Sequence, residues 1–371
     1  MTCSRTATNR ILQLLEFGVG AFIVVVIAFD VFNAVIVPRP TRHPLRVSFL
    51  FVRWTWTAWR QAGLMLPSAQ RREALFGVFA PLAIVGLLLV WGFGLMLGSA
   101  LELMAVKHQL RPIPTSFNEA VYFAGTSLLT LGFGDVVATG GIARIVVLAT
   151  AASGIALIAV VISFLFSLFG SFQRREVLVV TLDARAGAPA SGIALLETHA
   201  RLGIIDDLQR LFIEGQTWAA EVLDSHLAYP VLAFFRSSHI DASWPGALGA
   251  LLDAATLVMT TVVEVPDGQA RLMHEVGSHL TDDLSRYFSI PHGGGALIER
   301  AEFERAREQL QAAGFRLRGA EESWSSFMTL RARYASALNA MARFWAIPPA
   351  QWIGDRSPLN YFKRHAGQAA G

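Results

Sequence analysis

The sequence predicts an all-α protein in which membrane-crossing helices are followed by a mainly helical domain outside the bilayer. Three observations lead there. Of 371 residues, 53% are hydrophobic, and a mean hydropathy of +0.46 is far above that of water-soluble chains. Residues 11–37, 75–101 and 145–173 are nearly or wholly free of charge, and at about 1.5 Å per residue each can cross a hydrocarbon core of about 30 Å. The net charge of +3 is uneven, with twelve Lys/Arg against six Asp/Glu up to residue 170 and nineteen against twenty-two after it. The positive excess lies beside the apolar spans, where membrane topology explains it, so nucleic acid is not expected as a partner. A single cysteine, Cys3, excludes an intrachain disulfide or a Cys-based zinc site, and no signal-peptide cleavage pattern precedes the first span.

The first span ends at Pro38 and carries Gln13, Glu16, Asp30 and Asn33. A carboxylate at membrane depth is costly, so Asp30 is expected near the cytosolic end, snorkelling or pairing with an arginine. Seven arginines follow: Arg39, Arg42, Arg46, Arg53, Arg60, Arg71 and Arg72, with Glu73 the only acid nearby. They place this loop in the cytoplasm. The spacing of Arg39, Arg42 and Arg46 would suit a voltage sensor, but Pro40 and Pro44 break such a helix and only one span precedes it. Val47–Leu66, with Trp54, Trp56 and Trp59, reads as a helix lying in the interface plane with its tryptophans at headgroup depth.

Residues 75–101 form an outer helix. Its Gly92-Phe-Gly94 and Gly98 follow no strand, and inside a membrane helix such residues serve close packing rather than nucleotide binding. A polar loop with Lys107, His108, Arg111, Pro112 and Pro114 leads to Ser116-Phe-Asn-Glu119, a capping box that starts a short helix running to about Leu129. Directly after it stands Thr130-Leu131-Gly132-Phe133-Gly134-Asp135. Dehydrating a cation requires several oxygens aimed at one axis, and backbone carbonyls supply them when alternate residues take positive φ, which Gly132 and Gly134 permit. The Thr130 hydroxyl adds one more oxygen.

These six residues resemble the filter of the potassium channel family, typically Thr-Val-Gly-Tyr-Gly followed by Asp, with Leu131 and Phe133 as the two departures. The resemblance covers about residues 75–172. It implies a pore helix whose C-terminal dipole faces the ion, with Tyr122 and Phe123 at the positions of the aromatic cuff around the filter. Thr126 stands where some members carry a Glu that bonds the Asp after the filter, which puts that clamp on Asp135 in doubt. Gly154, in the inner helix 145–173, lies where the family often places a gating hinge. Close packing is the equally weighted alternative.

After Arg174 and Arg175 the composition changes. Val177–Thr181 reads as a short strand, and helices follow near 193–201, 204–226, 246–263, 268–288, 297–312 and 320–345, with Gly203 and Gly314 as stops. No G-x-G-x-x-G follows the strand. The apolar run 246–263 reads as the core helix of a soluble bundle. His274, His279, Asp282 and Asp283, and likewise His226, His239 and Asp241, lack a recognised ligand spacing and read as solvated helical faces. No nucleophile elbow or phosphate loop points to an enzyme.

The expected organisation is therefore a pore-loop channel with an extra N-terminal span and basic interfacial segment (1–74), a pore domain (75–172) and a helical regulatory or assembly domain (173–371). It would sit in the cell (inner) membrane with its N-terminus outside and its C-terminal domain cytoplasmic. One pore loop per chain implies a homotetramer in the lipid membrane that conducts potassium passively, with K+ as permeant ion and no cofactor. Gating would come through the C-terminal domain, for which the sequence identifies no ligand. A non-selective cation channel and a membrane-anchored sensor with a vestigial pore stay open as alternatives.

Overall fold

The computed structural model describes residues 2–37, 46–239, 241–293, 295 and 297–353. The chain divides into two compact units, Met1–Leu168 and Phe169–Gly371.

In the first unit, α1 (Thr2–Val31) runs on into a π-helical turn, Phe32–Ile36. It is followed by α2 (Val47–Leu64), α3 (Ala69–Ala105), α4 (Phe117–Leu128) and the start of α5 (Gly141–Ala186). Among the described residues, three stretches are long and apolar enough to cross a membrane: Arg10–Ile36, Ala69–Ala105 and Gly141–Ala186. Glycine lets α1 and α3 approach closely. A Cβ on Gly20 would lie 2.6 Å from the carbonyl oxygen of Gly98, one on Gly98 would lie 2.9 Å from that of Gly20, and one on Gly94 would strike Ile27. Gly94 and Gly98 thus serve packing, as expected of small residues in membrane helices, whereas nothing lies within 4 Å of a Cβ built on Gly92.

One expectation for this unit changes. Asp30 is buried rather than snorkelling, and among the described residues it pairs with no arginine. It is 3% exposed, and its carboxylate accepts from the Ser48 amide and hydroxyl, each at 3.0 Å, and from Trp91 Nε1 at 2.8 Å. Ser48 opens α2, where amides lack helical partners, so Asp30 caps that helix from a neighbouring element. The tryptophans of α2 do not share one face of the helix. Residues two apart on a helix point to nearly opposite sides, so Trp54 is exposed while Trp56 is buried on Phe76 and Phe79, with ring centroids at 5.6 and 4.9 Å. Trp59 Nε1 donates to Leu75 O at 2.9 Å. Arg39, Pro40, Arg42 and Pro44 lie outside the described residues.

In the second unit, the predicted strand Val177–Thr181 is helical, because α5 continues to Ala186. Buried Arg175, Glu176, Leu178, Val179, Leu182 and Ala186 recur at helical spacing, and that packing overrides the β-propensity of the valines. The stop comes at Gly187, at φ +76°. The compact unit begins ahead of Arg174–Arg175, which is no linker: Arg175 is a core residue.

The remaining helices are α6 (Gly192–Arg201), α7 (Asp207–Ala228), α8 (Trp244–Thr260), α9 (Gly268–Tyr287), α10 (Arg300–Ala312), α11 (Ala320–Arg331) and α12 (Ala335–Phe344). Gly203 and Gly314, at φ +68° and +101°, close α6 and α10, with Ile204 N reaching His199 O and Phe315 N reaching Leu310 O. Every residue of α8 is buried, which makes it the core of this bundle. Its Asp253 accepts from Arg331 Nε at 2.9 Å and from the Tyr334 hydroxyl at 2.6 Å. The predicted helix 320–345 breaks between these two partners into α11 and α12.

His226 and His274 are fully buried, not on solvated faces. Each ring has a carbonyl within reach, His226 Nδ1 at 2.8 Å from Val222 O and His274 Nε2 at 3.1 Å from Leu330 O. His279 is exposed and pairs with Asp283 at 3.2 Å. Burial pushes the His274 imidazole below its ordinary value, and burial together with the Arg175 guanidinium pushes His226 well below it. The unfolded chain therefore takes up protons at a pH where the folded unit does not, and stability present above the ordinary value of 6.5 drains away as pH falls beneath it. The thermal midpoint of the full-length protein in detergent should drop between about pH 7.5 and about pH 5.5, well above the carboxylate range. A flat midpoint across that window would contradict the buried, neutral imidazoles.

Candidate functional site

The loop after α4 is positioned from both sides. Upstream, the chain leaves α3 through a 3₁₀ turn, Lys107–Gln109, into β1 (Leu110–Arg111), which pairs antiparallel with β2 (Val137–Ala138) just beyond the loop. Gln109 ties this together. Its backbone oxygen accepts from the amides of Thr139 and Gly140 and from the Thr139 hydroxyl, and its side-chain Oε1 accepts from the amides of Ile142 and Ala143, capping α5. Sequence reasoning passed over Gln109, and no local pattern marks it, because its partners lie thirty or more residues away.

α4 begins at Ser116, whose hydroxyl accepts from the Glu119 amide at 3.4 Å. The reciprocal half of the expected capping box is shifted by one residue: Glu119 accepts from the amide and hydroxyl of Thr115, both at 2.8 Å. Ala120, Phe123 and Ala124 pack with Ala100, Leu103, Val106 and Leu110 on one side and Ala143 and Val146 of α5 on another. At its far end Leu128 joins Ile27, Trp91 and Leu95. The helix is thus held at both ends by apolar contact with longer neighbours.

Its C-terminus passes directly into the glycine-rich loop. Thr130 N bonds Ser127 O at 3.0 Å and Leu131 N bonds Thr126 O at 2.8 Å, a closure that requires left-handed backbone at Thr130. Thr130 has φ +57°, followed by Gly132 at +59° and Gly134 at +80°. Positive φ therefore recurs at every second residue, starting one position earlier than the glycines alone suggest. A threonine in this region is strained, and the two amide bonds from the end of α4 hold it there. The side chains of Leu131 and Phe133 are 53% and 66% exposed on the single chain, and no atom lies within 4 Å of a Cβ built on Gly132 or Gly134.

Tyr122 and Phe123 part company. Phe123 is buried against α3 and α5, whereas Tyr122 is exposed. Thr126 is buried and its hydroxyl turns back to Phe123 O at 3.0 Å, so it does not hold Asp135. Gly154 lies against the end of α4: a Cβ there would be 1.8 Å from the Leu128 carbonyl oxygen. α5 is unbroken through this position. Gly154 thus packs directly against Leu128, two residues before the start of the loop.

Residues 82–171 match the model of a family described as "Ion channel". This stretch is a pore-loop ion-channel domain. The uncharacterized membrane protein YdjJ of Bacillus subtilis (strain 168) is 22% identical over 205 residues, which cover 54% of this chain and 59% of that relative. No solved structure matches the chain. The channel domain comprises most of α3, all of α4 and the first part of α5, and the chain carrying it is a membrane protein. In this domain, Gly154→Ala forces backbone apart at the end of α4, so it should lower stability by about 1–3 kcal/mol. Thermal unfolding in detergent measures this. An unchanged midpoint with altered gating would instead support a hinge.

Proposed function

We propose that the protein is a potassium-selective channel that conducts passively through a homotetrameric pore and is gated through its C-terminal unit. The observation that carries this reading is the alternation of positive φ at Thr130, Gly132 and Gly134. Alternating the sign of φ turns successive carbonyls towards the same side of the strand, which is what replacing a cation's hydration shell demands. The oxygens of Thr130, Leu131, Gly132, Phe133 and Gly134 would form the filter. Tyr122 and Asp135 would support its outer end, and Phe123 and Thr126 would anchor the helix behind it.

One chain supplies one such loop, and a filter needs several around an axis. The exposed Leu129, Leu131 and Phe133 side chains support assembly with further copies, which would cover them. Phe133 cannot donate a hydrogen bond as a Tyr would. Purified protein in potassium-loaded liposomes should release potassium, and Gly132→Asp should abolish the release while leaving the assembled mass unchanged. No release of potassium by wild type or by Gly132→Asp would identify a sensor with a vestigial pore.

A further inference from the structure

Resting on the reading that the C-terminal unit gates the pore, we infer that Arg175 and Glu176 are the residues through which that unit grips the inner helix, with Ser237 as the contact that tunes the grip. Both lie on α5 just past the last residue of the channel domain, 171, and both are buried, with side-chain exposures of 1% and 9%.

Arg175 uses its whole guanidinium. Nε and Nη2 donate to Glu176 Oε1 at 3.1 and 2.9 Å, Nη1 donates to Leu232 O at 2.9 Å, and Nη2 also donates to Phe235 O at 3.1 Å. Nη1 further approaches His226 Nε2 at 3.4 Å. His226 Nδ1 faces Val222 O, so the proton sits on Nδ1 and Nε2 offers Arg175 a lone pair. Glu176 turns its second oxygen, Oε2, to the Ser237 hydroxyl and to the Ser238 amide. The backbone is held as well, since Trp218 Nε1 donates to Arg175 O at 2.8 Å. Phe172 lies under the guanidinium at 5.1 Å and against Phe235 at 5.3 Å.

Such an arrangement is a poor way to gain stability. A buried ion pair is about neutral against well-packed apolar residues of the same volume, because desolvation offsets the attraction. What it adds is geometric definition. Apolar side chains on a helix can slide over a neighbour, but an arginine with several assigned donors is correct in only one rotation and one axial position. Neighbouring residues on a helix point about 100° apart, so Arg175 and Glu176 together resist rotation as well as sliding. The gripping segment is in turn tied onward, because Arg236 donates to the carbonyls of Trp345 and Ala346 at the end of α12, each at 2.9 Å. A displacement of α12 thereby reaches α5 through residues 235–238.

The test uses full-length protein in planar bilayers, recording single channels of wild type, Ser237→Ala, Glu176→Gln and the double variant, with Arg175→Lys as the conservative change. Ser237→Ala and Glu176→Gln should each change open probability by about threefold or more at unaltered unitary conductance, and the effect of the double variant should fall short of the sum of the two, because both disturb the bond between these side chains. Arg175→Lys, unable to reproduce the forked contacts, should shift open probability in the same direction. A conducting wild type whose open probability is untouched by Ser237→Ala and Glu176→Gln, or additive effects of the two, overturns the grip while leaving the pore reading intact. A silent wild type overturns both. Thermal midpoints separate a loosened grip from loss of fold, and Ser237→Ala, which removes a single hydroxyl from a half-buried loop, decides the matter if either α5 variant fails to assemble.

Discussion

Thr130 to Asp135 is backbone without helical hydrogen bonding, set between helices of membrane length, and such backbone survives at membrane depth only where protein holds it or water reaches it. The rest of the first unit answers that constraint. α4 is closed by amides of the loop itself, Gln109 joins the segments before and after the loop, and Gly154 allows α5 to rest directly on the Leu128 carbonyl. Removing any one of these leaves a strained loop with fewer groups to oppose its relaxation.

The spans, the re-entrant helix and the glycine loop were legible because hydropathy, a serine cap and alternating glycines are local signals. The side-chain network around them was not. Gln109 and Asp30 act across long sequence separations; Asp30 stood out as a carboxylate in an apolar span, but neither residue's neighbours identify its partners. Thr130 shows the limit of reading backbone from residue type, since a β-branched residue at positive φ is disfavoured locally and exists only because tertiary bonds impose it. Gly154 was legible as a glycine that matters, but its role needed the distance to Leu128.

In the second unit, the failures have one cause. Val177–Thr181 looks like a strand by composition, and His226 and His274 look like solvated polar residues, yet each is decided by what packs on it. Helical burial captures the valines, and a backbone carbonyl faces one nitrogen of each imidazole. Arg175 is the clearest instance: in sequence the Arg174–Arg175 pair reads as a basic junction after a span, whereas in the fold Arg175 is a core residue with partners on α7 and on the segment following it. The polar groups of this unit, including Asp253 with Arg331 and Tyr334, specify how helices are registered more than how strongly they adhere.

The central claim is that the carbonyls of residues 130–134 select potassium, and the bi-ionic reversal potential of the purified protein in a lipid bilayer, with potassium on one side and sodium on the other, tests it most directly. The account predicts a reversal potential close to the potassium equilibrium value. A reversal potential near zero, meaning equal permeability to both ions, would show that the loop with Leu131 and Phe133 conducts cations without distinguishing them.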